Sequence, residues 1–135
     1  MQNNRRSFIS QCAGLALAGA APWALASNAA YPDKTVRIIV PYPAGGATDN
    51  LGRLAGQALQ QALGQSFIVD NKGGGGTTIG TRALAQSEPD GYTLGMMDST
   101  FTINPGLLGA RLSYDTQKDF TPISQIASAQ FVLVT

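Results

Sequence analysis

The sequence contains no histidine, a single cysteine and few charged residues, and these shortages exclude several classes of protein. Of its 135 residues 13% are charged, and the formal net charge of +1 predicts no basic surface for nucleic acid. A serine nucleophile needs a neighbouring base, but histidine is absent and no lysine stands in an S-x-x-K arrangement. The acidic residues lack the spacing of a metal site, and no cofactor motif is complete. With 44% apolar residues the chain is expected to be globular, and its chemistry to be binding without catalysis.

The first 26 residues have the pattern of an export signal. Arg5 and Arg6 precede an apolar segment, Ile9 to Ala21, and Ala24-Leu25-Ala26 fits the A-x-A cleavage rule. We therefore expect residues 1–26 to be a signal peptide and residues 27–135 to form the mature chain. The run NRRSFIS partly matches a twin-arginine signal, with Asn4 at a position where Ser or Thr is more usual, so the general secretory and twin-arginine routes both stay open.

Cleavage at this position would change the chemistry of the chain. It would remove Cys12, so disulfides, thiolate catalysis and cysteine metal sites are excluded from the mature chain. The loss of two arginines leaves seven basic against eight acidic residues, a net charge of about −1. No second hydrophobic stretch is long enough to cross a bilayer, so the mature chain is not expected to be embedded in a membrane.

The stretch VRIIVPYPAGGATDN predicts a strand, a tight loop and the start of a helix. Val36–Val40 is the apolar run of a buried parallel strand, and two prolines end it. Gly45 and Gly46 give the loop conformational freedom, and apolar residues at helical spacing follow from Thr48 until Gly64 offers a stop. Free backbone N–H groups at the positive end of this helix suit an anion, either carboxylate or phosphate.

Further strands and helices alternate along the chain. The pattern predicts a strand at Phe67–Val69, a short helix capped by Thr77 or Thr78 and a third strand at Tyr92–Met97. This order predicts an α/β fold with a mainly parallel sheet and flanking helices. Ligands bind beyond the carboxyl ends of such strands. Three loops are expected to converge there, at residues 41–49, 71–78 and 98–102.

The last third of the chain is less regular. Asn104-Pro105 is expected to begin a short helix through Leu107 and Leu108, and the segment 114–120 is polar and irregular. Further strand is predicted around Ile123 and Ile126 and at residues 131–134. Because the chain ends in an apolar run without a stop signal, we expect a truncated sequence.

Several interpretations of the polar and glycine residues stay open. The spacing of Gly74, Gly76 and Gly80 misses the dinucleotide fingerprint, and no GK[ST] follows, so the glycine run is either a flexible loop or a backbone contact for a ligand. Asp49 and its neighbour Thr48 are candidate helix caps. The ring of Tyr42 is expected to pack over the sheet end, to form a wall of the ligand pocket, or to do both.

The ordered motifs carry a family resemblance. VPYPAGGATD, then VDNKGGGGTTIGTRALAQSEPDGYTL, then TINPGLL and KDFTPISQIAS resemble the periplasmic solute-binding proteins of tripartite tricarboxylate transporters, the Bug or TctC-like family. The likeness runs from about Tyr31 to the last residue, although the PDGYTL turn and the INP segment carry little chemistry themselves. It implies a type II-like periplasmic binding protein of two α/β domains, with residues 27–135 forming part of the first domain and the second missing.

The resemblance also implies a function and a site. Such receptors bind small organic acids, among them di- and tricarboxylates and amino acids, and deliver them to membrane transporter subunits. The implied site holds a ligand carboxylate through backbone N–H groups and waters, with the second and third loops completing the pocket. The candidate ligand-binding residues are Tyr42, Pro43, Ala44, Gly45, Gly46, Ala47, Thr48, Asp49, Gly76, Thr77, Thr78, Ser99 and Thr100.

Two residues depart from the family pattern. Phe101 replaces the histidine of many members, and Asp98 places a negative charge near the cleft, which favours a monoacid, an amino acid or an amphipathic ligand. Three hypotheses follow for the chain. It is a receptor for an organic acid, an exported α/β enzyme whose catalytic groups lie beyond Thr135, or a non-functional remnant with an exposed sheet edge.

Overall fold

A computed structural model describes residues 30–128 of the chain. The predicted signal peptide and the predicted strand at residues 131–134 lie outside the described residues. The elements in chain order are β1 (Val36–Val40), α1 (Ala47–Leu63), β2 (Phe67–Asn71), a 3₁₀ turn (Gly75–Thr77), α2 (Thr78–Ala85), β3 (Thr93–Gly95), α3 (Ser99–Leu108) and a second 3₁₀ turn (Gly109–Arg111).

The three strands form one parallel sheet in the order β2-β1-β3. In the register of the sheet, Val36 pairs with Phe67 and Arg37 with Thr93. The predicted α/β class with a parallel sheet is therefore confirmed. Because the connection from β2 to β3 passes across β1, the strand order reverses between β1 and β3, and ligands of such sheets bind in the crevice at that point.

The central strand β1 supplies most of the core. Val36 and Val40 are fully buried, and Ile38 is 3% exposed. A strand covered on both faces needs this nearly continuous β-branched sequence, and each such buried side chain contributes about 1.5–3 kcal/mol. Phe67 of β2 completes the buried cluster.

Helix α1 lies close to β1 at two glycines, of which Gly52 makes the tighter approach. A Cβ on Gly52 would stand 3.1 Å from Cγ2 of Val40, and one on Gly56 would stand 3.4 Å from Cδ1 of Ile38. The predicted stop is also observed, since Gly64 adopts φ 73° and its N–H bonds to the carbonyl of Gln60 at 2.9 Å. The helix therefore begins and ends close to the positions that the sequence indicates.

The second half differs from the sequence-based prediction. β3 has three residues instead of six because only Arg37, Ile38 and Ile39 of β1 pair with it. Helix α3 begins at Ser99, five residues before the predicted start, so residues 99–102 are helical where a loop was expected. Ile123 and Ile126 were predicted in strands but lie in irregular chain within residues 120–128, 80% and 56% exposed.

Aromatic contacts anchor α3 to the segment after it. The rings of Phe101 and Phe120 meet edge to face with centroids 5.0 Å apart, and Phe120 makes a similar contact with Tyr114 at 5.7 Å. Phe101 thus packs within the fold. No helix within residues 30–128 has both the length and the apolar character that a bilayer crossing requires.

Candidate functional site

The first loop ends at a helix N-terminus that no side chain caps. Gly46 is the N-cap of α1 with extended dihedrals, and it offers no side-chain acceptor. The prediction that Thr48 or Asp49 caps this helix was therefore wrong. The first N–H groups of a helix have no partner within it, so those of α1 are available to an acceptor from outside. Residues 43–47 are exposed, which leaves this end of the helix open to a ligand.

Asp49 is the hub of the first loop. Its side chain is 1% exposed, and its Oδ2 accepts hydrogen bonds from the N–H of Gly45 at 2.7 Å and from Nε of Arg53 at 3.0 Å. Its Oδ1 accepts one from Nδ2 of Asn71 at 2.9 Å, and Nδ2 also donates to the carbonyl of Tyr42 at 3.1 Å. Both oxygens of Asp49 are thus occupied by protein donors. These hydrogen bonds hold the first loop in its conformation. The predicted contact of Asp49 with a ligand stays a prediction.

Two partners of this hub were missed by sequence reasoning. Arg53 follows Asp49 by four residues on α1, a spacing that places both on one helix face, so this pairing was accessible from the sequence. Asn71 comes from the end of β2, and only the sheet register brings it beside the loop. The guanidinium of Arg53 also donates to Oδ1 of Asn71 at 3.1 Å, which closes the network.

The hub makes stability depend on pH. Hydrogen bonds from Arg53, from the Gly45 N–H and from Asn71 lower the pKa of Asp49 to about 2 from an ordinary value of 3.8. A carboxyl whose folded pKa is lowered stabilises the fold above its unfolded pKa, and this contribution is lost as pH falls through the folded value. We expect Asp49→Asn to be less stable than the parent chain at pH 7, with a difference that shrinks between about pH 4 and pH 2. Urea denaturation at several pH values measures it, and a difference that stays constant would contradict the assignment.

The second loop adopts an unusual backbone. Gly74, Gly75 and Gly76 all have positive φ, and Thr77 follows with φ 77°. Glycine adopts such angles without strain, whereas a β-branched residue does so only when its surroundings hold it there. Thr77 stands at the N-cap of α2 as predicted, but its side chain does not cap the helix. The hydroxyl of Thr78 donates to the carbonyl of Gly75 at 2.8 Å, inside the turn.

Asn104 of α3 holds this loop in place. Its side chain is 4% exposed, and its Nδ2 donates to the carbonyl of Gly76 at 3.0 Å and to Oγ1 of Thr77 at 3.1 Å. The INP segment was assigned little chemistry from the sequence, and this interpretation was wrong for its asparagine. The available signal was a polar amide within an apolar stretch, since a buried amide needs hydrogen-bond partners.

The third segment meets the first through a tyrosine. The ring of Tyr42 packs against the core cluster, as predicted, and its hydroxyl donates to Oδ1 of Asp98. Asp98 is the N-cap of α3 and accepts from the N–H of Thr100 at 2.8 Å. Burial and the bond to Asp98 raise the pKa of Tyr42 to about 12. Burial opposes ionisation of Asp98, but hydrogen bonds from Tyr42 and Thr100 prevail and lower its pKa.

The three predicted segments therefore meet at the carboxyl ends of the strands. Contacts of Asn71 and Tyr42 join the first and second loops, Tyr42 and Asp98 join the first and third, and Asn104 joins α3 to the second. Ser99 and Thr100 lie in the first turn of α3, beside this junction. The structure thus links the three segments that carry the candidate residues, and the uncapped helix end is the feature best suited to an anion.

A shallow depression at the opposite end of the sheet is a poorer candidate. Lys34 and Asp90 lie on its rim and pair with each other at 3.3 Å. The ammonium of Lys34 also stands 4.2 Å from the centre of the Tyr92 ring. Lys34 and Asp90 already interact with each other, so these two charges are less available to a ligand.

Comparisons with known proteins agree with the geometry. The model of the tripartite tricarboxylate transporter family receptor, TctC, matches residues 51–135. Protein BugT of Bordetella pertussis is 39% identical over 123 residues, which cover 90% of this chain and 38% of BugT. The structure of the periplasmic binding protein BugD is 40% identical with a TM-score of 0.65, over 69% of this chain and 31% of BugD.

A further solved structure was obtained with a ligand. MatC of Rhodopseudomonas palustris, with bound malate, is 34% identical with a TM-score of 0.62, over 68% of this chain and 31% of MatC. The chain thus spans between three and four tenths of the length of these proteins. The matched family consists of solute-binding proteins of a transport system and not of enzymes, which excludes the exported-enzyme hypothesis.

The family model covers more than half of the chain, and a relative, a structural neighbour and the motif order all point to the same group. The resemblance inferred from the motifs is confirmed, and with it the periplasmic binding protein fold of the neighbours. Members of this group are periplasmic binding proteins, which implies a periplasmic location. The chain belongs to the tripartite tricarboxylate transporter receptor family, TctC.

Proposed function

We propose that this chain forms part of a periplasmic receptor, which binds a small organic acid and delivers it to the membrane subunits of a tripartite tricarboxylate transporter. The observation that carries the proposal is the uncapped N-terminus of α1 at the point where the strand order reverses. A carboxylate there would accept hydrogen bonds from the first turn of the helix and would lie at the positive end of its dipole.

The ligand carboxylate is held mainly by backbone. Asp49 takes the N–H of Gly45, so the N–H groups from Gly46 onward are the donors left for a ligand. Ordered water adapts to acids of different shape, and we expect water to bridge the remaining carboxylate oxygens to the loops. The proposed pocket comprises residues 42–49 of the first loop, Gly76, Thr77 and Thr78 of the second, and Ser99 and Thr100 of α3.

Thr77 offers a donor to this pocket. Its Oγ1 accepts a hydrogen bond from Asn104, so the hydroxyl proton remains free to donate to an acceptor such as a carboxylate. The conformation of the second loop supports this role, because the φ of 77° at a β-branched residue is held by contacts with α3. We place Thr77 opposite the N-terminus of α1 in the proposed pocket.

Export and domain organisation complete the proposal. Residues 1–26 act as the signal peptide, and residues 27–135 contribute part of the first solute-binding domain. The malate bound to MatC and the tricarboxylates in the family description support a carboxylate as the ligand. The fold of BugD, described as a periplasmic binding protein, supports the location.

Titration calorimetry tests the function directly. We expect at least one acid of a panel containing malate, citrate, glutamate and benzoate to bind the purified full-length receptor with micromolar affinity. Inorganic phosphate serves as the competing anion, and we expect it not to displace the acid at similar concentrations. A monomeric elution profile and a cooperative melt show that the sample is folded. A folded sample that binds no acid would overturn the receptor proposal. Preferential binding of phosphate would show that the ligand is a phosphate compound and not a carboxylate.

A further inference from the structure

Two helix N-termini point at the same edge of the sheet, and they differ in how they are capped. Helix α1 begins at Gly46, which has no side chain to offer. Helix α3 begins at Asp98, whose carboxylate accepts the N–H of Thr100 at 2.8 Å. The first helix end is open to an external anion, while the second already holds an anion that belongs to the protein.

The position of Asp98 relative to the first loop is fixed by Tyr42. The tyrosine follows β1 directly, its ring packs on the core, and its hydroxyl donates to the same Oδ1 that accepts from Thr100. Tyr42 therefore spans the crevice between the ends of β1 and β3. The carboxylate of Asp98 lies beside the first loop as a result, on the side of the crevice formed by α3.

The charge of Asp98 is not cancelled by a cation. Its hydrogen-bond donors are a phenol and a backbone amide, both neutral, and within residues 30–128 no lysine or arginine forms an ion pair with it. Arg53, a basic residue close to the first loop, is engaged by Asp49 at 3.0 Å and by Asn71 at 3.1 Å. An acid bound at α1 would therefore experience a net negative potential from the side of α3.

We infer that Asp98 determines ligand specificity, because its carboxylate occupies the helix end at which a second ligand carboxylate would bind. The inference rests on the proposed function and specifies its substrate class. The receptor then selects acids with a single carboxylate, held at α1, whose far end is neutral or carries an N–H or O–H group. A free oxygen of Asp98 can accept a hydrogen bond from such a group, whereas it repels a second carboxylate.

A matched pair of acids tests the inference. Malate and 2-hydroxybutyrate share the 2-hydroxy carboxylate and differ mainly at the far end, which is a carboxylate in malate and a methyl group in 2-hydroxybutyrate. We expect the parent protein to prefer 2-hydroxybutyrate. Asp98→Asn keeps a good N-cap and an acceptor for Tyr42 while it removes the charge. We expect it to raise the affinity for malate about fivefold to tenfold and to change that for 2-hydroxybutyrate by less than about twofold.

Controls separate this effect from others. Glu88→Gln removes one negative charge from the turn before β3, at the opposite end of the sheet, and is expected to leave the ratio of the two affinities unchanged. The gain for malate is expected to shrink as ionic strength rises, because salt screens exposed charges. Calorimetric titration of all three proteins with both acids gives the ratios.

The outcomes are distinguishable. Equal changes for both acids in Asp98→Asn, or a ratio that moves as much in Glu88→Gln, would overturn the specificity inference and leave the receptor function in place. Parent protein that binds malate more tightly than 2-hydroxybutyrate would also overturn it. If neither of these two acids nor any acid of the calorimetric panel binds, although all three proteins melt cooperatively, the carboxylate function proposed for the α1 terminus fails, and the role of Asp98 fails with it.

Discussion

Valine in place of Gly46 is expected to weaken binding of the ligand carboxylate by about a hundredfold without unfolding the sheet. Each hydrogen bond to a charged group contributes about 1.5–3 kcal/mol, so losing one backbone donor at the upper end of this range corresponds to about this loss. A Cβ at Gly46 would meet nothing nearer than the carbonyl oxygen of Pro43 at 3.8 Å, and φ is −78°. The added side chain therefore fits the fold, and in the proposed pocket it would occupy space beside the ligand carboxylate.

A second substitution at the same position separates binding from stability. Gly46→Ser places a hydroxyl where it accepts an N–H of the first turn, so helix stability should rise by a few tenths of a kcal/mol while carboxylate affinity falls. Gly106→Val on α3 is the matched control, because a Cβ there also meets open space. Titration calorimetry and thermal melts measure both quantities. Unchanged affinity in both Gly46 variants would show that the ligand carboxylate does not bind at the N-terminus of α1.

Alanine in place of Gly80 is expected to cost about 2–4 kcal/mol of folding free energy. Gly80 is buried in α2, and a Cβ there would stand 2.6 Å from the carbonyl oxygen of Lys72 and 2.8 Å from Cα of Pro41. Both neighbours are backbone atoms, which cannot rotate away, so the helix must shift from the first loop. For a domain of this size the loss corresponds to a fall in melting temperature of roughly 10–25 °C.

The control for this prediction is a glycine with more room. Gly56 is also buried and also interior to a helix, but its added Cβ would stand 3.4 Å from Ile38 and 3.5 Å from the carbonyl of Phe67. These are ordinary contacts, and alanine has a better helix propensity, so Gly56→Ala should be close to neutral or slightly stabilising. Urea denaturation of both variants tests the pair. Equal losses would show that burial alone, and not the backbone clash, sets the cost at Gly80.

The first half of the fold could be predicted well because its signals are local. The β-branched run of β1 ends at the first of two prolines, and the structure ends the strand at Val40. Helical spacing followed by Gly64 predicted α1 to within a residue at its start. In a parallel sheet the loops after the strands share one edge, so the convergence of the three segments also followed from element order.

The second half could not be predicted as well because its structure depends on distant partners. β3 is short because only three residues of β1 pair with it. The sequence of β3 itself does not indicate how many residues will pair. Helix α3 starts early because Asp98 caps it, whereas Pro105 was taken as a start signal. Asn104 and Asn71 acquire their partners only after folding, from residues 18 to 29 positions away in the sequence.

The backbone angle of Thr77 has a consequence for protein engineering. A β-branched residue held in the left-handed region costs of order 1–3 kcal/mol, which glycine or asparagine would recover. Directed evolution for heat resistance would therefore favour replacing this threonine, and would remove the hydroxyl that accepts from Asn104 and that we propose as a donor to the ligand. Stabilised variants of this chain should be sought in the helices and not in the glycine loop.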